Sequence, residues 1–223
     1  MKSFDINLAG EALKLLPSKA LFWPKEKILF VADLHLGKSA SQRHKNFFLP
    51  EGSDQDDLES LNRLIQDLGP EHLIILGDLF HDKFSLSDEL VIAFHQWRER
   101  IDHEMTLVLG NHDRKAEGSI FDLPLNVKTQ SYPLGPFWLS HEPENQTDKF
   151  NLCGHLHPGI RLKDNAGCAH AFKAFWHRKE QLVLPAYGST TSLGKMPAEE
   201  EDLFYVCSDR DIVKMRPPEI AKK

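Results

Sequence analysis

Five stretches of this chain run apolar and then stop in aspartate, asparagine or histidine: ILFVADLH, LIILGDLFHD, LVLGNHD, FWLSH and FNLCGHLH. Runs of this length that do not alternate with polar residues are strands buried on both faces, the kind found in sheets covered on each side. In layered α/β sheets, ligands bind beyond the carboxyl ends of the strands. The pattern therefore restricts the fold and points to a site with one stroke: several core strands, each delivering polar side chains to one rim.

The apolar runs KILFVA (27–32), HLIILG (72–77) and MTLVLG (105–110) are separated by helical patterns. SDQDDLESLNRLIQDLGP places Leu58, Leu61, Ile65 and Leu68 on one stripe, opens with Ser53 and Asp56 at capping-box spacing, and stops at Gly69-Pro70. SLSDELVIAFHQWRERI repeats the scheme, with Ser85 and Asp88 at its start and Leu90, Phe94, Trp97 and Ile101 facing inward. Alternating strand and helix over 27–111 predicts an α/β fold. Short strand-like runs joined by polar turns before and after it predict antiparallel hairpins. Two facing mixed sheets with helices outside them, a four-layer α/β/β/α sandwich, fit best. No linker divides the chain, so a single domain is expected over 1–216 with a loose tail at 217–223.

At 223 residues and 41% hydrophobic, the chain is long and apolar enough to bury a sizeable core. No apolar run reaches the ~18–20 residues of a membrane span, and MKSFDINLAG is not a signal peptide, so no membrane partner and a cytoplasmic location are expected. Cys153, Cys168 and Cys207 are odd in number and lack metal-type spacing, which predicts reduced thiols packed in the fold. A net charge of −6 argues against a large nucleic-acid footprint.

Pooling the strand ends gives Asp33, His35, Asp78, Asn111, His141, His155 and His157. Seven donors are too many for one small transition-metal ion and suit two ions sharing a carboxylate. Mixed oxygen and nitrogen donors without thiolate fit Mn²⁺, Fe²⁺ or Zn²⁺ better than Ca²⁺. Two such ions roughly 3.5–4 Å apart clamp a phosphoryl group and lower the pKa of a bridging water. Their positive charge would draw a phosphate ester even to an acidic chain. Alternation along an extended backbone would bring Asp33 together with His35, and His155 with His157.

The order D-x-H, G-D, G-N-H-D, H, G-H-x-H resembles the calcineurin-like metallophosphoesterases from Asp33 to the hairpins past His157. That resemblance implies a first metal on Asp33, His35, Asp78 and His157, and a second on Asp78, Asn111, His141 and His155. It makes His112 the phosphate-contacting general acid, oriented by a carboxylate such as Asp113. An alkoxide leaves poorly without a proton, and imidazole is suited to supply one.

GDLFHDKF differs from the G-D-x-x-D-R-G of protein phosphatases in this superfamily, His81 standing in place of the orienting aspartate. GDLFH with GNHD is similar to double-strand-break repair nucleases, which implies a role for His81 at the scissile phosphate. DLHLGKSASQRHKNFFLPEG, SHEP, GHLHPGIRL and LPAYGSTTSLG resemble the ligase-associated DNA damage response endonucleases, the PdeM group. This implies Mn²⁺-dependent cleavage of DNA phosphodiesters, in a pathway shared with a DNA ligase and a helicase. Lys38, Arg43, His44 and Lys45, with Phe47 and Phe48 beside them, suit a single strand held by charge and stacking, and Arg161 and Lys163 add candidate backbone contacts. Asp54, Asp56, Asp57 and Glu59 read as a helix's first turn. Three rivals stay open: a small-molecule phosphodiesterase, a nucleotide-lipid pyrophosphohydrolase (whose relatives resemble GDLFE and insert a helical lid), and a metal-free scaffold.

Overall fold

The structure, a computed structural model, describes all residues except 1, 39–40, 42–51, 83–84, 86, 117–119, 146–147, 165 and 218–223. Arg43, His44, Lys45, Phe47 and Phe48 lie outside the described residues, as does the expected tail from 218 onward.

The first sheet has seven strands in chain order: β1 (Phe4–Leu8), β2 (Glu11–Leu15), β3 (Leu21–Trp23), β4 (Ile28–Val31), β5 (His72–Ile75), β6 (Glu104–Val108) and β7 (Asn126–Lys128). β1 to β4 pair antiparallel and β4 to β7 parallel, so the sheet is mixed. The second sheet runs β15 (Ile212–Met215), β14 (Leu203–Cys207), β12 (Ala169–Arg178), β13 (Gln181–Val183), β10 (Phe150–Cys153), β9 (Phe137–Leu139) and β8 (Tyr132–Leu134), with β11 (Gly159–Lys163) added along β12. β10 is parallel to β9 and β13, and the remaining pairs are antiparallel.

The continuous apolar runs have the expected cause. On β4 and β5, Leu29, Val31, Leu73 and Ile75 face the helices, while Ile28, Phe30 and Ile74, with Leu76 just past β5, face the second sheet and meet Phe137, Leu139, Leu152, Phe175 and Leu182. Burying each of these large side chains stabilises the fold by roughly 1.5–3 kcal/mol. The α/β sandwich of two facing mixed sheets read from the sequence is what forms.

Both α-helices among the described residues, α1 (Ser53–Leu68) and α2 (Asp88–Arg98), pack on the first sheet, joined by Trp97 Nε1–H donating to the Leu58 carbonyl at 3.0 Å. The outer face of the second sheet, built from Cys153, Ala174, Trp176, Val183, Phe204 and Val206, is covered by Ile160, Leu156, Leu162, Met196 and Ala198. No described helix, among the described residues, is long and apolar enough to cross a membrane.

The helix starts differ from expectation. Gly52, in a left-handed conformation, caps α1 with no side-chain hydrogen bond, so Ser53 is already inside the helix. Ser87, not Ser85, caps α2 and accepts from the Leu90 amide, while the Ser85 hydroxyl closes a turn with Asp82. Capping-box spacing marked the right regions, but a serine two positions on was equally able to accept the amide. All three cysteines are free, and Cys153 and Cys207 are buried as expected. Cys168 is exposed on the turn after β11, where polar residues end the strand and leave no core to enter.

Candidate metal centre

The parallel strands β4, β5 and β6 end at one edge, and the loops beyond them are stitched together by their backbones. Asp33 N–H donates to the Gly77 carbonyl at 3.0 Å, His35 N–H to Asp78 at 2.9 Å and Leu36 N–H to Leu79 at 2.8 Å. From the second sheet, Gly154 N–H donates to His141 at 2.9 Å and Tyr187 N–H to Ala32 at 2.8 Å. This stitching brings all seven expected donors to one rim.

Their convergence does not come from strand alternation. Asp33, His35, Asp78, His155 and His157 lie past the strand ends with φ of 54°, 50°, 51°, 70° and 47°, in the left-handed region that side chains disfavour. Each such residue costs on the order of 1 kcal/mol or more, tolerated where surrounding structure over-determines it. Alternation was a sound guess for residues still in a sheet, but here tight turns aim the side chains.

Three groups have ligand atoms within 4.8 Å of one another: Asp33–His35–His157 and Asp78–His141–His155, built from the expected donors, and His35–His81–His112 beside the first. In the first, His35 Nε2 faces His157 Nε2 at 3.1 Å, and His157 Nε2 lies 3.5 Å from Asp33 Oδ1. In the second, Asn111 Oδ1 lies 2.9 Å from His155 Nδ1 and 3.0 Å from His141 Nε2. Asp78 faces both: Oδ2 is 3.7 Å from His35 Nε2 and Oδ1 is 3.4 Å from His141 Nε2.

These residues fit divalent cations. Asp33 Oδ1 is buried and accepts no hydrogen bond from any described residue. A buried carboxylate oxygen without a partner is costly unless a cation neutralises it. Its other oxygen accepts the His155 amide at 2.9 Å, which fixes the group's orientation. His141 Nδ1–H donates to the Leu76 carbonyl at 3.0 Å and His157 Nδ1–H to Ser192 at 3.2 Å, so in each ring Nε2 is the nitrogen turned to the centre.

Burial holds the His35 imidazole down at about 3, with the Asp78 charge opposing and neighbouring histidines assisting, so the ring is neutral, as a metal-ligating imidazole must be. Burial also opposes charge on Asp78, but the hydrogen bond and charge of His141, the His112 amide and His35 outweigh it and hold the carboxyl at about 2. His141 is the complement: burial lowers it, and the hydrogen bond and charge of Asp78 with the charge of Asp33 raise it to about 9. His155 is lowered by burial first and by His141 next.

The glycines before Asp78 and Asn111 are packing requirements. A methyl group on Gly77 would overlap the His141 ring, and one on Gly110 would overlap Asp78 Oδ1.

The remaining expected site residues are placed as follows. His112 sits beside the centre, its N–H donating to Asp78 Oδ1 at 2.9 Å and its Nδ1 against the His81 carbonyl. Asp113 does not orient that ring. Its carboxylate is buried and accepts the Phe80 and Gly110 amides, both at 3.0 Å, and burial raises it to about 6 against those bonds. One residue past His112, it faces back into its own turn, and a main-chain carbonyl takes the orienting place. His81 stacks on His112 with centroids 5.2 Å apart and brings Nδ1 to 3.3 Å from His35 Nδ1. Lys38 donates to the Thr190 carbonyl at 2.8 Å, and Arg161 is exposed on β11.

Sequence reasoning missed the clasp on residues 186–192, which supports His157 through Ser192 and Asp33 through Gly188 N–H at 3.2 Å. Lys19 donates to the Tyr187 carbonyl at 2.7 Å, and Lys173 to Ala186 at 2.9 Å and Gly188 at 2.5 Å. Asp57 accepts the Ser189 amide at 2.8 Å and its hydroxyl at 3.1 Å. Asp57 is thus a buried strut rather than a first-turn charge. Its spacing from Leu61 and Leu64 on the buried stripe was a usable signal; nothing in the sequence marks Lys19 or Lys173.

The sequence model of the calcineurin-like phosphoesterase family matches residues 26–186. The crystal structure of the Pseudomonas putida nuclease MPE is similar at a TM-score of 0.80 and 31% identity, over 95% of this chain and 100% of that one. The E. coli phosphoesterase Yfce is 17% identical over 85% of this chain and 98% of its own, at a TM-score of 0.46. No curated protein matches in sequence.

Proposed function

The chain belongs to the calcineurin-like phosphoesterases, and from that membership and the site's geometry we propose that it is a metal-dependent phosphodiesterase that cleaves DNA. The observation carrying this is Asp78, one oxygen turned to each of the Asp33–His35–His157 and Asp78–His141–His155 groups, beside Asp33 Oδ1, which is buried and accepts no hydrogen bond from a described residue. Asp33, His35, Asp78 and His157 would hold one divalent ion, and Asp78, Asn111, His141 and His155 the other; the donor set suits Mn²⁺, Fe²⁺ or Zn²⁺, and the resemblance of the motifs favours Mn²⁺. Bound there, the pair supplies positive charge for the phosphoryl oxygens and acidifies a water nucleophile.

His112 does the proton work. Its Nδ1–H, given to the His81 carbonyl, leaves Nε2 as the reacting nitrogen. The oxygen of water, its proton released to solvent, adds to phosphorus, the opposite P–O bond breaks, and His112 Nε2–H gives its proton to the departing oxygen. Asp78, accepting the His112 amide, fixes the distance from acid to centre.

The nuclease MPE, alike over almost the whole chain, supports a nucleic-acid substrate. A setting in DNA repair, alongside a DNA ligase and a helicase, rests on the resemblance of the motifs. Between Asn111 and His141 the described residues form a 3-10 turn (Asp113–Ala116) and short strands, with no helical lid for a lipid tail. A small-molecule phosphodiesterase is the second reading, favoured by the net charge of −6 and by Lys38 being committed to Thr190.

The test is to incubate the chelator-stripped chain with and without Mn²⁺ on circular single-stranded DNA, linear duplex and aryl mono- and diesters. Metal-dependent cutting of DNA is expected. Hydrolysis of aryl diesters alone would establish the second reading, and no hydrolysis with any of Mn²⁺, Fe²⁺ or Zn²⁺ would overturn both.

A further inference from the structure

Residue 81 touches two parts of the centre by two different groups. Its backbone is anchored by its own N–H donating to the Leu36 carbonyl at 3.0 Å, in the loop that carries His35. Its carbonyl faces His112 Nδ1. Its imidazole Nδ1 lies 3.3 Å from His35 Nδ1, within hydrogen-bonding reach. On the opposite side of that ring, His35 Nε2 faces His157 and Asp78.

Tautomer bookkeeping then leaves one arrangement. A neutral imidazole carries one N–H and one lone pair. If His35 Nε2 is to offer its lone pair to an ion, its hydrogen must sit on Nδ1. The group placed to accept that hydrogen is His81 Nδ1, which therefore carries the lone pair and leaves the hydrogen of His81 on Nε2. A ligating histidine needs an acceptor of this kind to fix its tautomer and ring orientation. His141 and His157 use the carbonyls of Leu76 and Ser192 for the purpose. His35 instead has a side chain.

Given the two-ion site proposed above, on which this rests, we infer that His81 is a positioning residue for the metal: its Nδ1 holds His35 in the ligating tautomer, while its carbonyl does the same for His112. The first effect belongs to the side chain and the second to the main chain, so substitution separates them. Asparagine can place an amide oxygen near the position of an imidazole Nδ1, whereas glutamine places one nearer Nε2.

Mn²⁺ binding by the chelator-stripped wild type and by His81→Asn, His81→Gln and His81→Phe is measured by titration calorimetry, with aryl diester hydrolysis in parallel. The expected order is wild-type-like Mn²⁺ affinity in His81→Asn and affinity weakened by about 10–100-fold in His81→Gln and His81→Phe, the usual effect of losing such a partner. Because all three variants remove the imidazole, and His81→Phe keeps a ring of similar size without a nitrogen, general destabilisation does not produce that order. Equal Mn²⁺ affinity in all four proteins overturns the inference while leaving the two-ion site standing. Activity kept by His81→Gln and lost by His81→Asn, at unchanged Mn²⁺ affinity, overturns it by placing Nε2 at the substrate. Three ions in the wild type and two in every variant overturns it by making His81 a ligand. A wild type that binds no metal removes both this inference and the function beneath it.

Discussion

Loading the second cluster with a divalent ion should expel a proton. In the metal-free chain His141 is raised to about 9, because the hydrogen bond and charge of Asp78, with help from Asp33 and the Leu76 carbonyl, outweigh the effect of its burial. A ligating imidazole nitrogen carries no hydrogen, so ion and proton compete for His141 Nε2. At pH 7 the gap of about two units weakens binding by about a hundredfold, equivalent to ~3 kcal/mol. Apparent affinity of the Asp78–Asn111–His141–His155 cluster should therefore rise by about tenfold per pH unit from 7 and level off near 9. His35 of the other cluster is held at about 3 and is already neutral throughout this range. Calorimetry with Mn²⁺ near about pH 7.5, in two buffers of different ionisation enthalpy, counts the released proton, and about one per chain is expected. His141→Asn, which removes the competing proton, should flatten the slope. Zero release, or an affinity flat from about pH 7 to 8.5, would refute the idea that an Asp78–His141 ion pair occupies the site before metal does.

The same pair sets stability in chelator. The raised His141 contributes fully below its ordinary 6.5 and is lost as pH rises through about 9, so the Tm of the metal-free chain should fall over that interval in thermal scans. Gly110→Ala would push a methyl group into Asp78 Oδ1, and calorimetry should show Mn²⁺ binding lost from a chain that circular dichroism finds folded. His112→Ala should bind Mn²⁺ normally and cleave a poor-leaving-group diester about 10²–10⁴-fold more slowly; undiminished cleavage would remove it from the proton step. Phe94→Ala, at a fully buried position between α2 and the first sheet, should cost about 3–5 kcal/mol in urea unfolding.

What the sequence by itself determined was periodic or local. Continuous apolar runs require two covered faces, so KILFVA, HLIILG and MTLVLG gave β4, β5 and β6, and the stripes of Leu58–Leu61–Ile65 and Phe94–Trp97 gave the helices on them. The seven candidate donors were legible because each follows such a run within a few residues. Tertiary structure decided how they are aimed. Left-handed turns at Asp33, His35, Asp78, His155 and His157 are held by hydrogen bonds between loops distant in sequence, and no local propensity encodes a conformation its own residues disfavour. It also decided which partner each side chain takes. Asp113 turned to two amides and left His112 to a carbonyl, His81 reached His35, and Asp57, Lys19 and Lys173 met on a loop more than a hundred residues from the first two. Such pairings depend on where two sheets stack, a property of the folded whole that residue spacing along one segment does not carry.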